Sequence, residues 1–135
     1  LKPAPDIRVS TVALSHNGAS AALIVEAGGR KLCYATDHEH GDANTDARLA
    51  AAAEGADLLI CDATFTDEEW PAYRGWGHST WEEGLRLKRR AGVKLLALAH
   101  HEPGRTDAAL DALGEAAAAR CDNAFFARQG LSLNL

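Results

Sequence analysis

The segment SAALIVEAGGRKLCYATD, residues 20–37, sets the architecture of the chain. Two apolar, β-rich runs flank Gly28-Gly29, and paired glycines between such runs favour a tight hairpin because the primed turns need positive φ angles. We therefore expect two antiparallel strands, at residues 20–27 and 30–36. The second strand leads directly into Asp37, where a polar loop begins.

Outward from this hairpin, apolar runs alternate with helical patterns. Further strands are expected at residues 8–14, 57–61 and 94–99, with the short runs NAFFA (123–127) and LSLNL (131–135) closing the chain as strands. Helices are expected at about 46–54 with Thr45 as N-cap, from a Ser79–Glu82 capping box to Gly92, and from Thr106 to about Arg120. A hairpin followed by strand–helix alternation predicts a layered α/β domain.

Composition narrows the classes of function. The chain has 135 residues, is 47% apolar and carries a net charge of −5, which argues against a broad basic surface for nucleic-acid backbones. No apolar run is long enough for a membrane-spanning helix. Cys33, Cys61 and Cys121 lack C-x-x-C spacing, so we expect buried free thiols and a cytoplasmic location. The absence of methionine, with a first residue Leu1, favours origin in a longer polypeptide.

A His or Asp follows each of four expected strands. His16, Asp37, Asp62 and His100 stand in these positions. Because loops beyond the carboxyl ends of strands line the ligand crevice in layered α/β folds, these side chains are expected to converge. Imidazole nitrogen and carboxylate oxygen are the ligands of zinc-class ions, and a carboxylate such as Asp37 can bridge two of them. Taken singly, each residue could equally be a capping or solvated side chain, with Asp37 in an Asx-turn.

The long loop from Asp62 to Gly77 ends in GWGHST, residues 75–80, and its length and tryptophans favour a functional role. His78 precedes the start of a helix, a position suited to phosphate, and could act as a general acid or only fix the loop to the helix. Glu39 and Asp42 are expected to be solvated, with His38 and His40 outside the metal shell. Adjacent His100 and His101 should point in roughly opposite directions, since strand side chains alternate.

The stretches LSHNGASAALIVEAGGRKLCYATD and ADLLICDATFTDEEW, with the later block GWGHSTWEEGLRLKRRAGVKLLALAHHEP, resemble metallo-β-lactamase-fold hydrolases. The resemblance covers nearly the whole chain. It is to the C-terminal half of the branch that contains transfer-RNA 3′-processing ribonucleases and related phosphodiesterases. The family's first motif of histidines and an aspartate is absent from these residues. This implies either that an N-terminal half lies elsewhere, on the polypeptide or on a partner, or that the chain is a remnant that does not catalyse.

The resemblance implies roles for individual residues. His16, Asp37 and His100 would bind metal, with Asp37 bridging, and His78 and Asp37 would be catalytic. Asp62, His101 and His40 would lie in the second shell or at the substrate rim. The implied cofactors are two divalent ions, zinc in the first place, with manganese or iron as alternatives. The family's nucleophile is a metal-bound hydroxide.

Together these points predict an α/β chain, residues 1–135, forming the second βα half of a four-layer αββα sandwich. The expected function is metal-dependent hydrolysis of phosphodiester bonds in a small-molecule or nucleotide substrate. The expected protein partner is the missing half, in cis or in trans, with no membrane; a homodimer is left open. Two alternatives remain: thioester or lactone hydrolysis on the same fold, and a non-catalytic α/β binding module.

Overall fold

The computed structural model describes residues 4–135, so the first three residues of the expected domain lie outside it. Six strands form one sheet in the order β1-β2-β3-β4-β5-β6. The strands are β1 (Ile7–Ala13), β2 (Ala21–Ala27), β3 (Arg30–Ala35), β4 (Leu58–Asp62), β5 (Leu95–Ala99) and β6 (Ala124–Phe126). The helices are α1 (Ala43–Ala53), α2 (Trp81–Ala91) and α3 (Asp107–Arg120), with a single 3₁₀ turn at Trp70–Ala72.

The predicted hairpin is present. β2 and β3 pair antiparallel across Gly28 and Gly29, whose φ angles of 56° and 76° are those that a residue without a Cβ adopts readily. β1 is antiparallel to β2, and β3, β4, β5 and β6 are mutually parallel. Strands β1, β3, β4 and β5 therefore run in the same direction and end at one edge of the sheet.

The core lies between the helices and one face of the sheet. Alternate strand residues, such as Ile24, Cys33, Leu59 and Leu96, face the helices and are buried with Leu49 of α1 and with residues of α2 and α3. This arrangement confirms the expected layered α/β fold. Burial alternates along β2 and is nearly continuous along β4 and β5, and small residues on the helices allow the two layers to approach closely.

The other face of the sheet is apolar, and it is open to solvent at β2 and β3. Leu23 pairs with Tyr34, and Tyr34 pairs in turn with Ile60, so that these side chains form a row across three strands. Leu23 is 42% exposed and Tyr34 is 41% exposed. Exposed apolar patches on a sheet face of this kind mark surfaces that another element covers.

Two expected helix starts are displaced. The N-cap of α1 is Asp42, whose side chain accepts a hydrogen bond from Thr45 N at 2.7 Å, so Thr45 lies inside the helix and Asp42 is not merely solvated. The cap of α2 is Thr80, which accepts from Glu83 N at 3.0 Å. Ser79 does not cap because its hydroxyl donates to the carbonyl of His38 instead.

Two further expectations are wrong. LSLNL forms no strand, since the leucines at 131, 133 and 135 are exposed and lie beyond β6, whose pairing with β5 ends at Phe126.

Cys33 and Cys61 are buried free thiols as expected, and burial raises the pKa of the Cys33 thiol to about 11. Cys121 is free but only half-buried, because it lies at the end of α3.

The amino edge of the parallel strands is held by Asp57. Its carboxylate accepts hydrogen bonds from Lys94 Nζ at 2.9 Å and from Lys31 N at 2.8 Å, with Arg30 as a further partner. These donors hold the pKa of Asp57 at about 2. Within residues 4–135, no helix combines the length and apolarity needed to cross a membrane.

Candidate functional site

The carboxyl edge of the sheet brings the predicted donors together. His100 Nε2 lies 3.4 Å from Asp37 Oδ1, although β3 and β5 are separated by β4. Among the described residues, two groups have ligand atoms within 4.8 Å of one another. The first group is His16, Asp37 and His78. The second group is Asp62, His78 and His100, so His78 belongs to both. The strand ends therefore form one cluster of imidazoles and carboxylates, and this cluster includes His78 from the long loop.

Asp62 is the centre of this cluster. Its side chain is 1% exposed and accepts five hydrogen bonds from groups around it. Oδ1 accepts from Thr64 N, Thr64 Oγ1 and Ser79 N at 2.8–3.1 Å, and Oδ2 accepts from Asp37 N at 3.1 Å and from His78 Nδ1 at 2.9 Å. A buried carboxylate is tolerated because these hydrogen bonds replace its lost hydration. Asp62 thereby fixes the backbones that carry Asp37 and His78.

His78 has a defined orientation. Since a carboxylate can only accept, Nδ1 of His78 carries the proton that it donates to Asp62, and Nε2 remains the free nitrogen. The ring stacks on His100 with centroids 4.9 Å apart, and Trp70 Nε1 donates to the carbonyl of His78 at 3.2 Å. The histidine that precedes α2 is thus part of the cluster.

His16 is oriented through the backbone. Its Nδ1 lies 2.9 Å from the carbonyl oxygen of Gly77, which can only accept, so Nε2 is left free to bind a ligand. Gly77 N in turn donates to Glu39 Oε2 at 2.7 Å, and Gly75 N donates to the same carboxylate. Glu39 is therefore not the solvated side chain that was expected, but the residue that fixes the loop against which His16 rests.

Two of the clustered residues have unusual backbones. Asp37 and His100 both have φ of 56°, in the left-handed region that residues with a Cβ seldom occupy. Such conformations persist where the surrounding structure enforces them, and they concentrate at functional sites. Here each lies just after the end of its strand, so the left-handed turn redirects the chain as it leaves the sheet.

The adjacent histidines separate as expected. The His100 ring lies against His78 and Asp37, whereas the His101 ring stacks on Phe126 with centroids 5.1 Å apart. His101 Nε2 lies 3.1 Å from the carbonyl oxygen of Ala127. Only His100 belongs to the donor cluster, and His101 joins the loop to β6.

His38 and His40, on either side of Glu39, contact the residues that surround the donor cluster. His40 stacks on Trp70 with centroids 4.1 Å apart, and its backbone N donates to Ser79 Oγ. His38 is buried, accepts from Ser15 N and contacts Asp46 Oδ1 at 3.2 Å. Burial lowers the pKa of both imidazoles, mainly by desolvation of the charged form. Neither is in the two donor groups of the described residues.

Sequence reasoning missed Glu39, Thr64 and Ser79. Glu39 accepts from backbone N–H groups 36 and 38 positions away, and Ser79 donates to the carbonyl of His38, 41 positions away. Thr64 bonds the Asp62 carboxylate, two positions before it in the chain. The one local signal was the pair of glycines at 75 and 77, whose φ angles of 84° and 89° leave their N–H groups free to converge on one carboxylate.

A layered α/β chain with this sheet order and this edge cluster is of the metallo-β-lactamase fold class. The metallo-β-lactamase fold protein YhfI from Bacillus subtilis superposes on 95% of the chain with a TM-score of 0.74 and 21% identity. Zinc-bound PqqB from Methylobacterium extorquens superposes on all of it with a TM-score of 0.67 and 19% identity. The chain corresponds to 49% and 52% of those two proteins.

Residues 2–101 match the profile of the family described as Beta-lactamase superfamily domain, and the chain belongs to that family. Among curated proteins, Ribonuclease Z of Thermoplasma volcanium is 38% identical over 79 residues. That match takes in 58% of this chain and 24% of the relative. The chain therefore aligns with about a quarter of this relative and about half of each solved structure.

Proposed function

We propose that the protein carrying this chain is a metal-dependent phosphodiesterase that acts on RNA or a nucleotide. The observation that carries the proposal is the convergence of His16, Asp37, His78 and His100 around the buried Asp62. The similarity to Ribonuclease Z supports a phosphodiester in RNA as the bond cleaved. Phosphoester hydrolysis also suits the cluster chemically, since imidazole and carboxylate groups can hold metal ions and transfer protons.

The donors fit divalent metal ions. We assign His16 through Nε2, Asp37 as a bridging carboxylate, and His100 as the residues that hold them. Nitrogen and oxygen donors suit zinc, with manganese or iron as alternatives, and the zinc-bound PqqB neighbour supports the first choice. Bound divalent ions would lower the pKa of a water molecule towards neutrality and so supply the nucleophile.

His78 is assigned the proton transfer. In its doubly protonated form, His78 donates from Nδ1 to Asp62 at 2.9 Å and can give the Nε2 proton to the departing oxygen of the substrate, which leaves the neutral Nδ1–H tautomer. Asp62 holds the ring in that tautomer and would stabilise the imidazolium when it forms. Asp62 contributes by orienting His78, and its burial keeps it from direct contact with solvent or substrate.

The chain supplies one half of the complete domain in this proposal. It aligns with about half of its structural neighbours, and the open apolar face around Leu23 and Tyr34 is the surface against which the other half would pack. That half, in the same polypeptide or in a partner, would bring the remaining metal ligands. The free thiols of Cys33 and Cys61 suit a reducing compartment, and we assign the protein to the cytoplasm.

The test is substrate turnover by the intact protein. We expect hydrolysis of bis(p-nitrophenyl) phosphate and of a short RNA, loss of both activities on chelation, and recovery on addition of zinc or manganese. A thioester substrate should be turned over far more slowly. Efficient thioester hydrolysis without phosphodiester cleavage, or full activity after chelation, would overturn the proposal.

A further inference from the structure

A cavity adjoins the donor cluster on the side of the long loop. It has a volume of about 330 Å³ and is lined by the imidazoles of His78 and His100 and by the rings of Phe65, Tyr73 and Trp76. Cavities of this size accept small organic groups. Its lining combines reacting groups with an aromatic wall, formed by Phe65, Tyr73 and Trp76.

The aromatic wall is ordered from the interior outwards. Phe65 is buried and stacks on Tyr73 with centroids 4.4 Å apart and planes 8° from parallel. Tyr73 meets Trp76 edge-on, with centroids 5.2 Å apart at 88°. Trp76 is 60% exposed, and the other two tryptophans are more buried. The wall therefore ends in a large aromatic ring whose surface is largely open to solvent.

The exposed tryptophan stands on a fixed backbone. Gly75 N and Gly77 N on either side of it both donate to the Glu39 carboxylate, and Trp76 N donates to Tyr73 O at 3.1 Å. On a mobile loop, an exposed apolar ring could reduce its contact with water by folding against the protein. The hydrogen bonds of this loop instead hold the Trp76 ring at the surface. A ring mounted rigidly beside reacting groups instead offers a ligand a surface whose ordering has little entropic cost.

We propose that the aromatic wall binds a nucleobase of the substrate, which stacks on Trp76 while the adjoining phosphodiester lies at His78 and His100. A planar ring is the ligand chemistry that such a wall favours, and stacking tolerates any base because every base has a π-face. Little base preference is expected. The inference rests on the proposed function for the position of the phosphodiester, but base binding itself requires no turnover.

The test is ligand binding by the intact protein, measured by calorimetry and tryptophan fluorescence. Adenosine 5′-monophosphate should quench the fluorescence and bind more tightly than ribose 5-phosphate, which has the same phosphate but no base. Trp76→Ala should weaken binding of the nucleotide by about 10- to 100-fold, the range typical of one stacked base. Trp76→Phe should retain most of the affinity. Leu131→Ala, a comparably exposed apolar residue outside the cavity, should change nothing.

The outcomes separate the two proposals. Equal affinity for the nucleotide and ribose 5-phosphate, or unchanged nucleotide affinity in Trp76→Ala, overturns the base site even if phosphodiesters are cleaved. Nucleotide binding that depends on Trp76, in a protein that cleaves no phosphodiester, sustains the base site and overturns the proposed function. Protection of Trp76 from fluorescence quenchers without any nucleotide also counts against the base site.

Discussion

Two residues of the donor cluster, His78 and His16, are oriented directly or indirectly by the carboxylates of Asp62 and Glu39. Asp62 holds His78, and Glu39 holds Gly77, whose carbonyl orients His16. Groups that orient metal ligands typically contribute 10- to 100-fold in metal affinity or activity. Gly77 is also required as glycine, because a Cβ there would lie 2.1 Å from His16 Nδ1.

Glu39→Ala should raise the dissociation constant for metal by about 10- to 100-fold, because the loop that orients His16 loses both of its anchoring bonds. Glu39→Gln keeps one acceptor oxygen, so its dissociation constant for metal should lie between those of Glu39→Ala and the native protein. Competition with a chromophoric chelator measures this affinity. Glu115→Gln, an exposed carboxylate on α3, is the matched control and should bind metal normally. Unchanged metal affinity in Glu39→Ala would show that the anchor is only structural.

His78→Ala should lower kcat by about 10²- to 10⁴-fold on the phosphodiester substrate, as loss of a general acid does. Metal content should be unchanged, since we assign the metal ions to other residues. Steady-state kinetics together with elemental analysis of the purified variant gives both values. Because His78 belongs to both groups of clustered donors, loss of metal in this variant would identify it as a ligand and reverse the assignment.

The directions of His100 and His101 could be predicted from the sequence, whereas the role of Glu39 could not. Strand alternation predicted that His100 and His101 point apart, and the family resemblance indicated His100 as the one in the cluster. The rings do point apart, although both residues lie beyond β5 and His100 has the left-handed φ of 56° that turns the chain there. The role of Glu39 could not be predicted in this way. It depends on two backbone N–H groups in a loop 36 and 38 residues away, and nothing in a single sequence pairs distant positions.

Among the helices, α2 has the most direct effect on the site, because it begins directly after His78, Ser79 and Thr80. The packing of α2 against the sheet therefore sets where His78 lies. Gly84 of α2 lies close against the sheet, since a Cβ there would lie 2.7 Å from Leu98 Cδ2 and 2.8 Å from Cys61 Sγ. Both neighbours are buried strand residues with little room to move. Thr106 caps α3 as predicted. The caps of the other two helices were misplaced, because Asp42 caps α1 and because the Ser79 hydroxyl donates to the His38 carbonyl, which leaves Thr80 as the cap of α2.

Gly84→Ala should therefore destabilise the intact protein by about 1–3 kcal/mol, the usual cost of overpacking a core. Gly114→Ala in α3 is the matched control, since its Cβ would meet only Phe126 Cβ at an ordinary 3.9 Å. That variant should be neutral or more stable by up to about 1 kcal/mol, because alanine favours the helix. Chemical denaturation measures both. Equal effects at the two positions would contradict the close approach of α2.

At the scale of the whole molecule, one face of the sheet is covered by helices and the other is open. The hairpin at Gly28-Gly29 and the alternation of strands and helices predicted the covered face correctly. The strands also carry apolar residues on their second face, as sheets buried on both sides do. Such a pattern is typical of a face that another element covers.

The isolated chain should therefore bind a hydrophobic dye and self-associate, while the intact protein should do neither. Replacing Leu23 and Tyr34 by glutamate should suppress both properties in the isolated chain, because it removes apolar surface from the open face. Light scattering and dye fluorescence measure these effects. Leu131→Glu, similarly exposed but outside the row, is the control. An isolated chain that stays monomeric without binding dye would contradict the half-domain proposal.

The metal content of the intact protein tests the central proposal most directly. We expect the native protein to contain two divalent ions. His100→Ala should lose at least one of these ions and nearly all of the activity. His101→Ala should retain both ions. The two variants remove neighbouring imidazoles, so they differ mainly in which one faces the cluster. A native protein without stoichiometric metal would contradict the account, as would a loss of metal in His101→Ala but not in His100→Ala.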